Sequence, residues 1–343
     1  MQARIFTALP FAVLMASSGY GQLTAKDQKE VVDSLSKEMV ARYVLKAKAE
    51  EVSKILSANL ASGQYDSLTT GKEFAAKLAA DTNAVCKDAH FRIRYSEEVL
   101  PIRKEPGAPS KEEIEADQKF TKLVNAGFQE VKRLNGNLGY IHFTGFFDPK
   151  EADRAIQASM QFVQNTDALI FDIRDNGGGD SETVKMICSY LFAKPTHINS
   201  IMFRQGDKTQ TVEYKTGNPK GKKYDKPIYV LVSKRTGSGA EEFAYDLQTQ
   251  KRATILGENT WGGANPGGNI RLTDHFMAFI PGGMAVNPIT KTNWEGVGVT
   301  PDIKCDPKDG LKQAQILAIK KLLETAQSDD ATRLKSVLKD LEA

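Results

Sequence analysis

Apolar positions along the chain change their period several times, and each change marks an element. Val32, Leu35, Met39 and Tyr43 recur every three or four residues behind Thr24, which predicts an amphipathic helix; Val52, Ile55, Leu56 and Leu60 predict a second, stopped by Gly63. Thr70-Gly71-Lys72-Glu73 reads as a capping box opening a third helix that carries Phe74 and Leu78. The period then drops to two over Phe91-Arg92-Ile93-Arg94-Tyr95, the pattern of a half-buried strand. From Val99 to Lys119, three prolines precede the charged run Ser110–Glu115, so an exposed connection with a short helix is expected. Val131 and Leu134, the pair Asn135-Gly136, and Leu138–Phe143 read as a hairpin feeding a larger sheet.

Beyond Asp148-Pro149, which caps and starts a helix, strands and helices alternate. Ala168–Ile173 is a buried strand, Asp175–Gly179 a loop and Ser181–Phe192 a helix; His197–Tyr214 reads as a polar-tipped hairpin. Ile228–Val232 is a second buried strand, followed by a helix from Ala240, the stretch Ala253–Glu258, the glycine-rich Gly262–Gly268, strands near 270–272 and 277–280, and a loop to Trp294. From Asp309 a helical tail is expected to pack on the body through Leu323, Leu334, Val337, Leu338 and Leu341. Such repetition implies an α/β domain with its loops gathered at the carboxyl ends of its strands. The division it suggests is an N-terminal helical domain (22–87), a strand and linker region (88–135), the α/β domain (136–308) and the tail (309–343).

Composition narrows the class. The 343 residues are 41% hydrophobic and 26% charged, enough for a proper core, and 46 Lys and Arg against 43 Asp and Glu favour neither nucleic acid nor an acidic lipid surface as partner. Residues 1–21 join a basic start, the apolar run Ile5–Ala16 and a small-residue tract, the pattern of a secretory signal, so a periplasmic or extracellular location is expected. No later stretch is apolar for long enough to span a bilayer, so no integral membrane segment is expected in the mature chain. Cys86, Cys188 and Cys305 have no metal-binding spacing; Cys188 falls on an apolar helix face, and Cys86 with Cys305 is the one bridge to consider.

Chemistry concentrates at Thr236-Gly237-Ser238-Gly239, between a buried strand and a helix. A serine between two glycines at such a turn exposes its hydroxyl and leaves first-turn N–H groups free for an oxyanion, which makes Ser238 a candidate nucleophile; the alternative is a plain helix cap. Glu241 and Glu242 read as first-turn charges, with binding of a substrate amine as the other possibility.

Four stretches stand in one order: Asp88-Ala89-His90, Asp172–Gly179, Thr236–Glu242 and Trp294–Asp302. Together they resemble the tail-specific (C-terminal processing) serine peptidase family, in the branch related to interphotoreceptor retinoid-binding protein and tricorn protease. The resemblance implies a β-β-α superhelix of the crotonase and Clp-protease type, Ser238 as nucleophile, and an oxyanion hole from Gly178 with Ser238 or Gly239. The processing branch takes its base from a lysine in Gly-Glu-x-Thr-x-Gly-Lys-Gly; this chain reads Gly257-Glu258-Asn259-Thr260-Trp261-Gly262-Gly263-Ala264, with Gly263 at the lysine position. The tricorn-like arrangement uses instead a histidine oriented by a glutamate through a serine, which implies His90 as base and Glu295 as its orienting acid. Ala89 replaces the bridging serine, so Glu295 reaches His90 directly, through water, or not at all.

His142, His197 and His275 fall in strand-like contexts and read as structural, with His275 the one rival base; Asp172 reads as an anchor for the glycine loop, and Asn265 as part of the cleft wall. No PDZ module fits between Tyr95 and Tyr140. The reading is thus an exported serine peptidase acting on peptides or unfolded protein, with no cofactor and no metal; the alternative is a non-catalytic carrier of apolar ligands like interphotoreceptor retinoid-binding protein.

Overall fold

A computed structural model describes residues 23–102 and 110–343; the expected leader lies outside the described residues. Helices α1 (Ala25–Arg42), α2 (Lys46–Ala61) and α3 (Gly71–Cys86) form where the apolar spacing places them. Thr24 and Thr70 cap α1 and α3 by accepting from the N–H groups of Asp27 and Glu73, removing donors that a helix start would otherwise leave open. Strand β1 (Arg92–Tyr95) follows. The connection after it carries a longer helix than expected, α4 (Lys111–Leu123), because Ser110 and Glu113 close a full capping box at its start.

The main sheet is assembled from β2 (Phe128–Leu134), β3 (Leu138–Phe143), β4 (Ala168–Asp172), β7 (Ile228–Val232), β8 (Thr254–Gly257) and β12 (Ile303–Lys304), in the order β12-β8-β7-β4-β3-β2. Only the β2–β3 pairing is antiparallel. Alternation sorts its side chains into two layers. Ile141, Leu169, Phe171, Val230 and Ile255 face the core shared with α5 (Pro149–Val163), α6 (Ser181–Leu191) and α7 (Gly239–Thr249). Leu138, Tyr140, Ile170, Tyr229, Leu231 and Leu256 face the tail helices α8 (Gly310–Leu323) and α9 (Ser328–Glu342). The expected tail packing is present, carried by Ala314, Ala318, Ile319 and Leu334.

Two small sheets complete the molecule. The hairpin β5 (His197–Gln205) and β6 (Lys208–Lys215) is joined by β11 (Gly283–Val286), a strand whose glycine-led sequence reads as loop until β5 offers it a partner. Strand β10 (Phe276–Pro281) lies between β1 and β9 (Gly267–Arg271), and this sheet lends Ile93, Ile270, Phe276, Ala278 and Ile280 to the core of α1–α3. The N-terminal helices therefore finish their core with residues some two hundred positions downstream. Arg204 of β5 fastens them, donating to the carbonyls of Tyr43 (2.7 Å), Val40 (2.8 Å) and Gly206.

The considered Cys86–Cys305 bridge does not form: all three cysteines are free. Cys86 is buried in the core of the N-terminal helices while Cys305 packs with the tail layer, two separate clusters. Cys188 is fully buried, as its helix face implies. No helix among the described residues is long and apolar enough to cross a membrane.

Helix α7 departs from its sequence reading. Glu241, Glu242 and Asp246 lie inside the core rather than at the surface. Burial pushes the Glu242 carboxyl up to about 7 although Ser181 donates to it at 2.6 Å, and burial raises Asp246 as well. A folded pKa above the unfolded one means that this proton stabilises the fold at low pH and that the contribution is lost as pH rises through about 7. Wild-type unfolding free energy should therefore fall from about pH 5 to about pH 8, by on the order of 3 kcal/mol through Glu242. Glu242→Gln should flatten that fall; parallel pH profiles in denaturant titrations would refute the assignment.

Candidate active site

Adjacent parallel strands β4 and β7 release their carboxyl-end loops side by side, which is why the glycine loop and the Ser238 turn meet. Asn176, fully buried, ties the two together: its side-chain amide donates to the Phe143 carbonyl (3.1 Å) and its own carbonyl accepts from Gly237 N–H (3.1 Å). Asp172 anchors the base of the loop as expected from its position, accepting from Tyr140 Oη (2.7 Å) and from Arg174.

Ser238 has φ 53° and ψ −121°, a backbone conformation that an L residue adopts only under strain, of about 1–3 kcal/mol. The turn is held there by Glu241. This carboxylate accepts from Ser238 N–H (2.9 Å), Thr260 Oγ1 (2.5 Å), Gly262 N–H (2.6 Å) and Gly263 N–H (2.9 Å). Burial raises its pKa and the four donors oppose that rise. The serine and glutamate stand three apart, the spacing of a capping box, and that spacing was the available clue to a role the first-turn reading missed.

Gly178 packs directly on the turn: with φ at +99°, a Cβ there would lie 2.7 Å from Ser238 Cβ and 2.5 Å from the Gly237 carbonyl. Its N–H differs from expectation, because it already donates to Asn176 Oδ1 at 2.9 Å. In the two loops the N–H groups of Gly177 and Gly179, and that of Gly239 at the first position of α7, find no acceptor among the described residues.

His90 arrives from the other side, at the entry to β1. It is buried, with its ring edge-on to Trp261 (4.9 Å between centroids) and stacked on Phe279 of β10 (6.0 Å). Burial pulls its pKa below the ordinary 6.5, reinforced by the Arg92 cation and opposed by Asp88. Nδ1 is buried and has no hydrogen-bond partner among the described residues.

Glu295 does not bond to His90. Its Oε1 accepts from Ala89 N–H (2.9 Å), its Oε2 from Ala264 N–H (2.6 Å) and Asn265 N–H (3.1 Å), so it clamps the backbone on both sides of the imidazole. Asp88, unassigned by the sequence pattern, accepts from His90 N–H (3.1 Å), Tyr43 Oη (3.2 Å) and Asn265 Nδ2 (2.9 Å). Side-chain ligand atoms of Asp88, His90 and Glu295 lie within 4.8 Å of one another, a grouping that could contact a cation, yet both carboxylates already receive these donors. His275 lies elsewhere, in the β9–β10 turn, with Nδ1 against the Ser96 carbonyl (3.1 Å). His142 pairs with Asp175 and His197 with Ser200.

The two halves join at Gly263. Its N–H shares Glu241 Oε2 with Ser238 N–H, its carbonyl accepts from the buried Trp294 Nε1 (2.9 Å), and a Cβ on it would meet His90 Cε1 at 2.7 Å. Trp261 also spans them, lying against Gly237 on one side and His90 on the other.

Comparison with known proteins gives a consistent picture. The family model for the N-terminal domain of Peptidase_S41 in eukaryotic IRBP matches residues 23–131, and that for peptidase family S41 matches residues 137–305. The chain is 28% identical over 177 residues to a carboxy-terminal-processing protease of Bartonella bacilliformis, covering 50% of this chain and 39% of that protein. It is 29% identical over 177 residues to carboxyl-terminal-processing peptidase 2, chloroplastic, of Arabidopsis thaliana, covering 50% and 33%. The chain thus spans well under half the length of these curated relatives. The crystal structure of mature CPAF shares the fold, with a TM-score of 0.61 at 13% identity over 87% of this chain and 98% of that one. Matched in tandem by the family's N-terminal and peptidase models, with the α/β fold of its solved structures, the chain belongs to peptidase family S41.

Proposed function

We propose that this chain is an exported serine peptidase in which Ser238 attacks the peptide carbonyl and His90 removes the hydroxyl proton, then returns it to the leaving amine. The tetrahedral oxyanion would be held by Gly239 N–H together with an N–H of the facing glycine loop, for which Gly179 is better placed than Gly178 because Asn176 holds the Gly178 N–H. Glu295 and Asp88 act as positioning residues, fixing the backbone around the imidazole through the N–H groups of Ala89, His90, Ala264 and Asn265. The observation that carries this reading is at Gly263: the imidazole fills the space into which a side chain at that position would project, the position where processing peptidases carry their lysine. The base would thus sit in the same space while reaching it from a different segment of chain. Peptides or unfolded protein segments are the substrate class, and export rests on the leader pattern of residues 1–21.

A fluorophosphonate probe should label the wild type, and Ser238→Ala should abolish labelling. His90→Ala should lower kcat by about a hundredfold to ten-thousandfold on a denatured protein substrate. Absence of labelling and cleavage alongside tight binding of an apolar dye would favour the carrier reading instead.

Because His90 is held below 6.5, it is neutral and able to accept a proton at neutral pH, and activity is lost as pH falls through that lowered value. The acid limb of kcat/KM should therefore have its midpoint below 6.5; a midpoint well above it would contradict a buried imidazole base.

Gly263→Ala tests the shared space. The added methyl would overlap His90 Cε1 and Trp261 Cζ3, at 2.7 and 2.4 Å, and should displace the imidazole. A fall in kcat of about tenfold or more is expected while the protein stays folded by circular dichroism. Wild-type kcat in this variant would show that the base lies elsewhere.

A further inference from the structure

Beyond His90 the small sheet presents a second feature that the reaction does not use. On β1 and β10, Arg92 stands opposite Phe279 and Arg94 opposite Met277, so these four side chains share the face turned away from the helical core. Asn269 and Arg271 of β9 continue that face, with Arg271 paired to Asp274. The Arg92 guanidinium lies 4.4 Å above the Phe279 ring, which also stacks on His90, so one ring touches both the cation and the imidazole.

Arg92 is half-buried, and its one hydrogen bond among the described residues runs from Nη1 to the His90 carbonyl at 3.3 Å. Its Nε is buried with no partner, and no carboxylate among the described residues pairs with it. The charge that bears on it is the like charge of Arg94, which together with burial holds its pKa below the ordinary arginine value. Most other partly buried cations of the fold are compensated: Arg174 by Asp172, Arg42 by Glu38, and Arg204 by carbonyl oxygens. A guanidinium that is desolvated without a counter-ion is costly in the free protein, and that cost falls when a carboxylate binds across its planar fork.

We propose that Arg92, backed by Arg94, forms a subsite for a carboxylate of the peptide substrate. The proposal rests on the peptidase reading above, since it places the carboxylate on the His90 side of the scissile bond. An extended peptide advances about 3.3 Å per residue, and the Arg92 guanidinium lies beside both the Phe279 ring and the His90 carbonyl, so the subsite falls within a few residues of the scissile bond. The carboxylate could be an acidic side chain at that remove or the free C-terminus of a peptide cut near its end.

Binding separates this subsite from catalysis. Short fluorescent peptides with an identical core should be titrated into the full chain carrying Ser238→Ala. One is amidated with an Asp-Glu pair, one is amidated with Asn-Gln in its place, and one is the neutral peptide with a free C-terminus. At least one carboxylate-bearing peptide should bind about tenfold more tightly than the neutral amidated one, with the gap narrowing at high ionic strength. Which of the two does so identifies the carboxylate's source. Adding Arg92→Gln should bring the ratio close to one, and Arg94→Gln, at an exposed position that leaves the fold intact, should reduce it in part. Equal binding of all three peptides, no binding of any, or a ratio unmoved by Arg92→Gln overturns the subsite. Turnover by the protein with Ser238 intact is read separately. Cleavage with no preference for either carboxylate-bearing peptide defeats the subsite and leaves the peptidase standing; such a preference in binding without cleavage does the reverse.

Discussion

A single buried carboxylate holds the site together. Glu241 accepts four hydrogen bonds from two segments, the Ser238 turn and the stretch Thr260–Gly263. A carboxylate offers acceptor sites for several donors at once and, when ionised, carries no donor of its own to misplace. The amides it receives belong to irregular chain, where no strand or helix partner is available to them, and a buried unpaired N–H costs about 1–3 kcal/mol. Thr260 extends the clamp, since its Oγ1 also accepts from Val299 N–H and so draws in the segment that carries Glu295.

The clamp matters because Ser238 and His90, the proposed reacting groups, come from two separately stabilised bodies. Ser238 belongs to the main sheet, whose parallel strands set its turn beside the glycine loop. His90 belongs to the small sheet, whose core is completed by the N-terminal helices. Residues 258–266 run from one sheet to the other, and Glu241, Trp294 and Glu295 each bind backbone within them. The strained backbone at Ser238 persists because these contacts surround it on every side. Trp261, half-exposed between Gly237 and His90, adds an aromatic wall to the same junction.

Local signals were largely readable from the chain. Helices α1, α2, α3, α5, α6 and α7 form where periodicity and caps place them, and β1, β3, β4 and β7 where alternation or continuous apolar runs do. The misses share a cause. Strand β11 has glycine and methionine in place of strand formers and exists through its pairing with β5. Glu241 and Glu242 carry the residue types of an exposed first turn, and nothing nearby reveals that loops from elsewhere will cover them. The engaged N–H of Gly178 depends on an asparagine side chain turning back on its own loop, and the separation of Cys86 from Cys305 on which layer each one joins.

What the sequence determined by itself was the inventory: a glycine-flanked serine at a strand-to-helix bend, a glycine where a lysine would serve, and a histidine in a distant segment, together with the order of elements. Those follow from steric freedom at glycine and from apolar period, which act within a few residues. Only the tertiary structure decided that the imidazole fills the space beside Gly263, that Glu295 grips backbone rather than the histidine ring, and that half-buried Arg92 has no carboxylate beside it among the described residues. Each of these depends on burial and on hydrogen-bond partners brought from across the chain, and such pairings have no period for a sequence to display.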